Sequence, residues 1–376
     1  MTALASAARP VMALPWIRSA WLDGICIFLP AWLTGLAVLA FPAFFQAHAE
    51  VTPVWWLVLV VGVDVAHVYS TIFRTYLDPG ELRRRPLLYA GIPLLGWLAG
   101  ILLYSFGALT FWRVLAYLAV FHFIRQQYGF LMIYNRGEKQ VAAWCHRLDI
   151  TAIYATMLYP LVYWHTHLPQ NFDWFVEGDF ITLPRALDLP LRALYVLILL
   201  AYLGKEVWLL RRSIPVNLCR WLLICGTALS WFCGIVIAHG DLAFTLTNVV
   251  AHGIPYTALI WIYRRNQDRH RQAARSLFTW RLIPVYLGAL ILLAYLEEGL
   301  WDGFVWREHL GYFIGAAALP QIDSTAVLIW LVPLLALPQI THYLLDGFIW
   351  RFKSHPEWRQ NMFPPMTPSP AKESSG

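Results

Sequence analysis

The chain has 376 residues, 59% of them hydrophobic and only 13% charged, with a mean hydropathy of +0.54. Soluble domains carry about 25% charged residues, so this balance excludes an ordinary soluble enzyme and predicts a polytopic membrane protein. The formal charge of +6 does not mark a nucleic-acid partner, because the cations lie in short segments between apolar runs, where membrane topology accounts for them.

Runs of roughly 20 apolar residues are long enough to cross a bilayer, and ten occur here. The first, 20–45, follows Arg9 and Arg18. It is too long for a removable signal peptide and lacks a small-residue cleavage site, so it is expected to remain as an anchor. The second, 53–73, carries Asp64 and His67, and the stretch from Arg74 to Gly80 reads as a helix exit and turn. The third is 86–106. The fourth, 110–134, carries His122, Arg125 and Gln126. Spans at 148–166, 187–209 and 218–239 follow, with a loop at 167–186. The eighth, 242–263, carries Asn248 and His252 ahead of Pro255. The ninth, 281–297, leads into a loop, 298–325, whose Trp301, Trp306 and Tyr312 suit a short helix along the interface. The tenth, 326–350, carries His342, Asp346 and Gly347 and ends at Trp350 and Arg351, an interface anchor. Residues 361–376, rich in Pro and Ser, are expected to form a disordered tail behind a single transmembrane domain, 1–360.

Loop charge then orients the spans. With the N-terminus inside, Arg113, Arg185, Arg192 and Arg307 fall outside and Arg125 falls within a span, while every other Lys and Arg lies in an inner segment. The expected fold is an all-α, polytopic integral membrane helical bundle of about ten transmembrane helices, with N- and C-termini cytoplasmic, in a bacterial inner membrane. Five cysteines, Cys26, Cys145, Cys219, Cys225 and Cys233, sit mostly within apolar runs. They form neither a disulfide framework nor a CxxC metal pair.

That topology sorts the histidines. Eight lie in loops or at helix ends, whereas His67, His122, His252 and His342 lie on spans two, four, eight and ten, which all run in the same direction. Ionisable groups inside a bilayer are costly and usually face a bundle interior or a cofactor. Counting about 1.5 Å per residue to the next inner cation puts the four at depths of roughly 10 to 21 Å. That spread is too wide for straight, upright helices to share one ion, since a metal to imidazole bond is about 2.1 Å. Tilt, an irregularity at Pro255 or two metal centres would each resolve it.

Each histidine has a polar companion one turn away: Asp64, Gln126, Asn248 and Asp346. A carboxylate three or four residues from a histidine shares its helix face. It can ligate the same ion, or act as a base, or orient the ring by accepting its free N–H. Gln126 and Asn248 suit either an outer shell around the ligands or a helix tie. Arg125 would hold an anionic substrate group or pair with Asp64 or Asp346. Tyr69, Tyr128 and Tyr343 read as packing aromatics that could line a pocket.

No HExxH, GxSxG or phosphate loop occurs, nor the histidine boxes of membrane desaturases. In site composition the chain resembles the bacterial carotene-cleaving membrane dioxygenases, with His67, His122, His252 and His342 at the matching positions. The resemblance implies non-haem iron held by those four histidines and an isoprenoid or other lipid as substrate. The chain also resembles, in His342 and Asp346 alone, the zinc-dependent membrane ceramidases, although that family has seven spans and another ligand order. The expected function is a metal-dependent membrane oxidoreductase with iron, zinc being the alternative metal. Its partners would be membrane lipids and a small apolar substrate. Two rival readings are a proton-coupled transporter with a relay through Asp64, His67 and Asp346, and a haem protein with two axial histidines.

Overall fold

The structure, a computed structural model, describes residues 12–136, 138, 141–271, 276–351 and 362–363. Each of the ten apolar runs falls on helix. In chain order the helices are α1 (Ala20–Ala40), α2 (Pro53–Arg74), α3 (Pro86–Ser105), α4 (Ala108–Tyr134), α5 (Ala143–Thr166), α6 (Arg185–Arg211), α7 (Leu218–Ile237), α8 (Val250–His270), α9 (Trp280–Trp306), and α10 (Thr325–Leu335) with α11 (Leu337–Ile349), which share the tenth run. Among the described residues, β-structure is one parallel pair, Met12–Ala13 with Val216–Asn217.

Among the described residues, seven helices, α1 to α4, α6, α7 and α9, are long and apolar enough to cross a membrane. Helices α10 and α11, bent by 44° at their junction, make an eighth if they form one broken span. Helices α5 and α8 are outside that set for a visible reason. The first opens with His146, Arg147 and Asp149, and the second ends in a polar run from Arg264 to His270. The tail expected from Asn361 lies outside the described residues, except for buried Met362 and for Phe363, which sits 3.7 Å beneath the Arg136 guanidinium.

Several cations expected in inner loops are instead interior. Arg74 is fully buried, 3.7 Å from Glu81 and 4.2 Å above the Tyr263 ring. Lys205 and Arg220 are buried around Asp149, Glu138 and Glu206, with Lys205 on Asp149 and Arg220 2.7 Å from Glu138 and 3.0 Å from Glu206. Such charges survive burial because each finds a partner, and losing one partner is what costs.

Asp78 ties the turn after α2 to the end of α8. Its carboxylate accepts from Gly80 N, Gln267 Nε2 and Arg271 Nη1, and Arg264 lies 3.0 Å away. Burial pushes its pKa up, but the two guanidiniums and the Gln267 amide outweigh that and hold it below the ordinary carboxylate range. A carboxyl with a depressed folded pKa stabilises the fold above its unfolded value, about 3.9, and loses that contribution as pH falls through the lower folded value. Asp78→Asn is therefore expected to lower stability by about 2 kcal/mol at neutral pH. It should also flatten the acid limb of melting temperature against pH; an unchanged limb would dismiss the linkage.

Packing follows small residues. A Cβ on Gly96 would lie 2.8 Å from Ile340, and one on Gly100 would lie 2.7 Å from Pro333. This four-residue spacing brings α3 directly against α10 and α11, as small residues do in membrane helix pairs. Helix α2 packs against α8, α9 and α11, and α4 packs against α11. The four histidine-bearing helices thus surround a common interior.

Candidate metal centre

The four intramembrane histidines meet. His252 Nε2 is 3.1 Å from His67 Nε2 and 3.2 Å from His122 Nε2, and His122 Nε2 is 3.0 Å from His342 Nε2. One ligand atom from each of the four lies within 4.8 Å of every other, so the group could hold a metal ion. All four residues are buried. Two imidazole nitrogens about 2.1 Å from one ion lie roughly 3.0 to 3.4 Å apart for angles between a right angle and a tetrahedral one. The observed contacts fall in that window.

Backbone irregularities bring these rings to one level. His67 follows a π-helical stretch, Trp56–Val65, and His252 follows another, Thr245–Val249. Such bulges shift side-chain register and recur at functional sites. His342 sits after the 44° bend, where Pro338 occupies the first turn of α11. The depth spread inferred from loop cations is corrected here: the buried, ion-paired Arg74 does not mark an interface, so it was a false ruler for His67.

Close approach also matters. A Cβ on Gly253 would lie 3.0 Å from Val63 Cγ1 and from its carbonyl oxygen, and 3.4 Å from His67 Nδ1. Gly253→Ala should therefore push α8 from α2 by a few tenths of an ångström and weaken metal retention about tenfold, the scale of lost outer-shell support. Metal analysis after graded chelator washes would measure it, and retention equal to wild type would refute the packing argument.

Three of the four far ring nitrogens face a polar side chain, whereas His252 Nδ1 has no hydrogen-bond partner among the described residues. His67 Nδ1 is 3.5 Å from Asp64 Oδ1, and His122 Nδ1 is 3.6 Å from Asp346 Oδ2. His342 Nδ1 is 2.7 Å from Thr71 Oγ1, which is 2.9 Å from the Tyr256 hydroxyl, which donates to Asp346 Oδ1 at 2.5 Å. With Asp346 ionised, the Tyr256 proton is committed to the carboxylate, so Thr71 must donate to Tyr256. Thr71 then has no proton left for His342, whose Nδ1 must carry the hydrogen itself. A neutral His342 therefore presents a bare Nε2 lone pair to the centre. That is the state a metal requires.

Asp64 and Asp346 thus lie behind the rings, where they can orient them, and outside the converging group of ligand atoms. Gln126 ties helices together, its Nε2 donating to His252 O at 2.9 Å. Asn248 donates to its immediate neighbour in the chain, Thr247 Oγ1, at 3.0 Å. Arg125 forms no ion pair with either aspartate. It donates to the Tyr154 hydroxyl at 2.9 Å, and its guanidinium lies 4.5 Å above Tyr128.

Thr71 and Tyr256 were not singled out by sequence reading. Their signal was positional: each stands four residues after a histidine of the tetrad, His67 or His252, hence on the same helix face. Phe123, stacked on His252 with ring centroids 3.8 Å apart, was missed as well. Tyr128 and Tyr343 do line a cavity, of about 500 Å³, that reaches His122, Arg125, Gln126 and Asp346.

A second group with metal-binding spacing, Glu138, His146 and Asp149, is occupied by the protein's own cations, Arg220 and Lys205. It reads as a structural ion-pair cluster.

No protein-family model, curated protein or solved structure matches this chain. The functional reading therefore rests on the geometry of the tetrad and its surroundings.

Proposed function

We propose that the chain is a membrane-embedded oxidoreductase that uses iron, held by His67, His122, His252 and His342, to oxygenate a lipid or isoprenoid. The observation that carries this reading is the convergence of four imidazole nitrogens, three successive pairs of them 3.0 to 3.2 Å apart and all within 4.8 Å of one another. Four imidazoles would close the shell of zinc, whose catalytic sites keep three protein ligands and a water. Iron accepts imidazole and retains open positions, where it would supply activation of dioxygen. Nitrogens so close together leave no room for a porphyrin plane between them, so we set the haem alternative aside.

The chain's own residues would bind and orient the substrate. The cavity beside His122 has apolar and aromatic walls, including Phe121, Met132, Leu259 and Tyr343, which suit an apolar molecule entering sideways from the bilayer. Arg125, steadied by Tyr128 and Tyr154, would meet a polar end group of that molecule. Asp64 and Asp346, beside the far nitrogens of His67 and His122, would favour the tautomer of those two rings that leaves Nε2 free. The ligand logic is that of the carotene-cleaving membrane dioxygenases, which the site resembles in composition. We extend the fold to ten spans with both termini cytoplasmic, in a bacterial inner membrane, because α5 and α8 preserve the alternation of basic ends.

Detergent-purified protein, loaded with ferrous iron without oxygen and then given labelled oxygen and a polyene or membrane lipid extract, is expected to transfer label to the lipid fraction. Zinc-loaded protein should not. Iron bound with no transfer, or proton-driven solute uptake by metal-free protein in liposomes, would overturn the proposal, the second in favour of the transporter reading.

A further inference from the structure

Two arginines, Arg125 and Arg351, line the cavity of about 500 Å³ beside His122. Arg125 lies inside α4, roughly 14 Å along the axis from its last residue, Tyr134. An arginine at such depth is costly and ordinarily pairs with a carboxylate or faces a polar interior. Arg125 does neither. Its side chain is exposed and makes no ion pair among the described residues, its contacts being the Tyr154 hydroxyl and the face of Tyr128. Arg351 follows the end of α11 and is exposed as well. It donates from Nε to Gly347 O at 2.6 Å, with the Phe348 ring 4.9 Å from its guanidinium.

Asp346 is the one carboxylate among the residues that line this space, and it is turned towards the tetrad. Its Oδ1 accepts from Tyr256, and its Oδ2 is 3.6 Å from His122 Nδ1. The two guanidiniums are therefore uncompensated. Beside a low-dielectric wall they attract an anion strongly, and their planar forks match a carboxylate. The rest of the wall, with Phe121, Met132, Ile133 and Leu259, is apolar, and Phe121 and Met132 are exposed on the outer surface of α4, so the space opens sideways. Its volume is that of a site for one small molecule, which favours a single chain over a two-chain phospholipid.

We propose that the ligand of this cavity is a single-chain lipid ending in a carboxylate, with its head met by Arg125 and Arg351 and its chain laid along the apolar wall beside His122. Calling that ligand the substrate rests on the oxygenase reading, whereas its binding needs no metal. Charge complementarity makes a neutral polyene hydrocarbon the poorer occupant.

The test uses full-length protein in neutral detergent, stripped of metal by chelator, and a conjugated tetraene fatty acid. Energy transfer from tryptophan reports its binding, and Trp350 lines the cavity. The acid is expected to bind about tenfold or more tightly than its methyl ester, the scale of a hydrogen bond to a charged group. Arg125→Gln should remove that preference and leave the ester's affinity unchanged, while Arg125→Lys should keep part of it. Arg351→Gln, beyond the end of α11 where folding is not at issue, should reduce it severalfold. Oleic acid should displace the probe and phosphatidylglycerol should not. Acid and ester bound alike by the wild type, neither bound, or a preference unchanged in either glutamine variant would overturn the assignment. Displacement by phosphatidylglycerol as strong as by oleic acid would overturn the single chain in favour of a phospholipid headgroup. Because no metal is present, a failure of oxygen transfer leaves this result standing, and a missing acid preference leaves the metal centre standing.

Discussion

Replacing His122 and His252 together with alanine is expected to abolish metal retention, from about one ion per chain to below about a tenth after dialysis against chelator. These two are chosen because each Nε2 touches two neighbours, so their loss leaves only His67 and His342, which are not in mutual hydrogen-bond contact. A pair of imidazoles cannot retain a first-row ion against chelator. His146→Ala, at the ion-pair cluster around Asp149, should leave metal content unchanged. Elemental analysis decides the matter, with a monodisperse elution profile as the check on folding. Full metal in the double variant would remove the tetrad as the site.

The second large effect is expected from Tyr256→Phe. Removing that hydroxyl breaks the ordered run from His342 through Thr71 to Asp346, and Thr71 becomes free to donate to His342 Nδ1. That donation favours the tautomer with its hydrogen on Nε2, which faces the other rings and opposes metal binding. Loss of such outer support typically costs about 10- to 100-fold in affinity, and a loss in that range is expected here. Thr71→Val should weaken binding to a similar degree. Because both act through one chain of donors, the double variant should be little worse than either single one. Competition with a chelator of known affinity measures all three, and fully additive losses would contradict the relay.

How far the site was legible can be argued residue by residue. His67, His122, His252 and His342 stood out because a titratable ring in an apolar run has few reasons to be there, and that logic needs only hydropathy. Asp64 and Asp346 followed from helical spacing, although spacing alone left open whether they ligate or orient. Thr71 and Tyr256 did not stand out, since a threonine and a tyrosine in a membrane helix are ordinary until their partners are known. Arg125 was recognised as unusual, yet its partners, Tyr154 and Tyr128, include one from another helix that no local pattern names. That Arg125 and Arg351 line one cavity was invisible for a similar reason, since the two stand more than 200 residues apart in the chain.

The amino-acid sequence by itself determined the class of molecule, the location of the apolar helices and the identity of the four buried imidazoles. These are local properties: transfer of side chains to an apolar medium and helical periodicity act over one or two dozen residues. Only the tertiary structure decided that the four rings share one level. The π-helical stretches before His67 and His252, the bend before His342 and the burial of Arg74 each shift depth by amounts that ideal helices do not contain. Whether two nitrogens touch or lie a helix diameter apart depends on how separate helices pack, and packing is a property of pairs of segments that no single segment encodes.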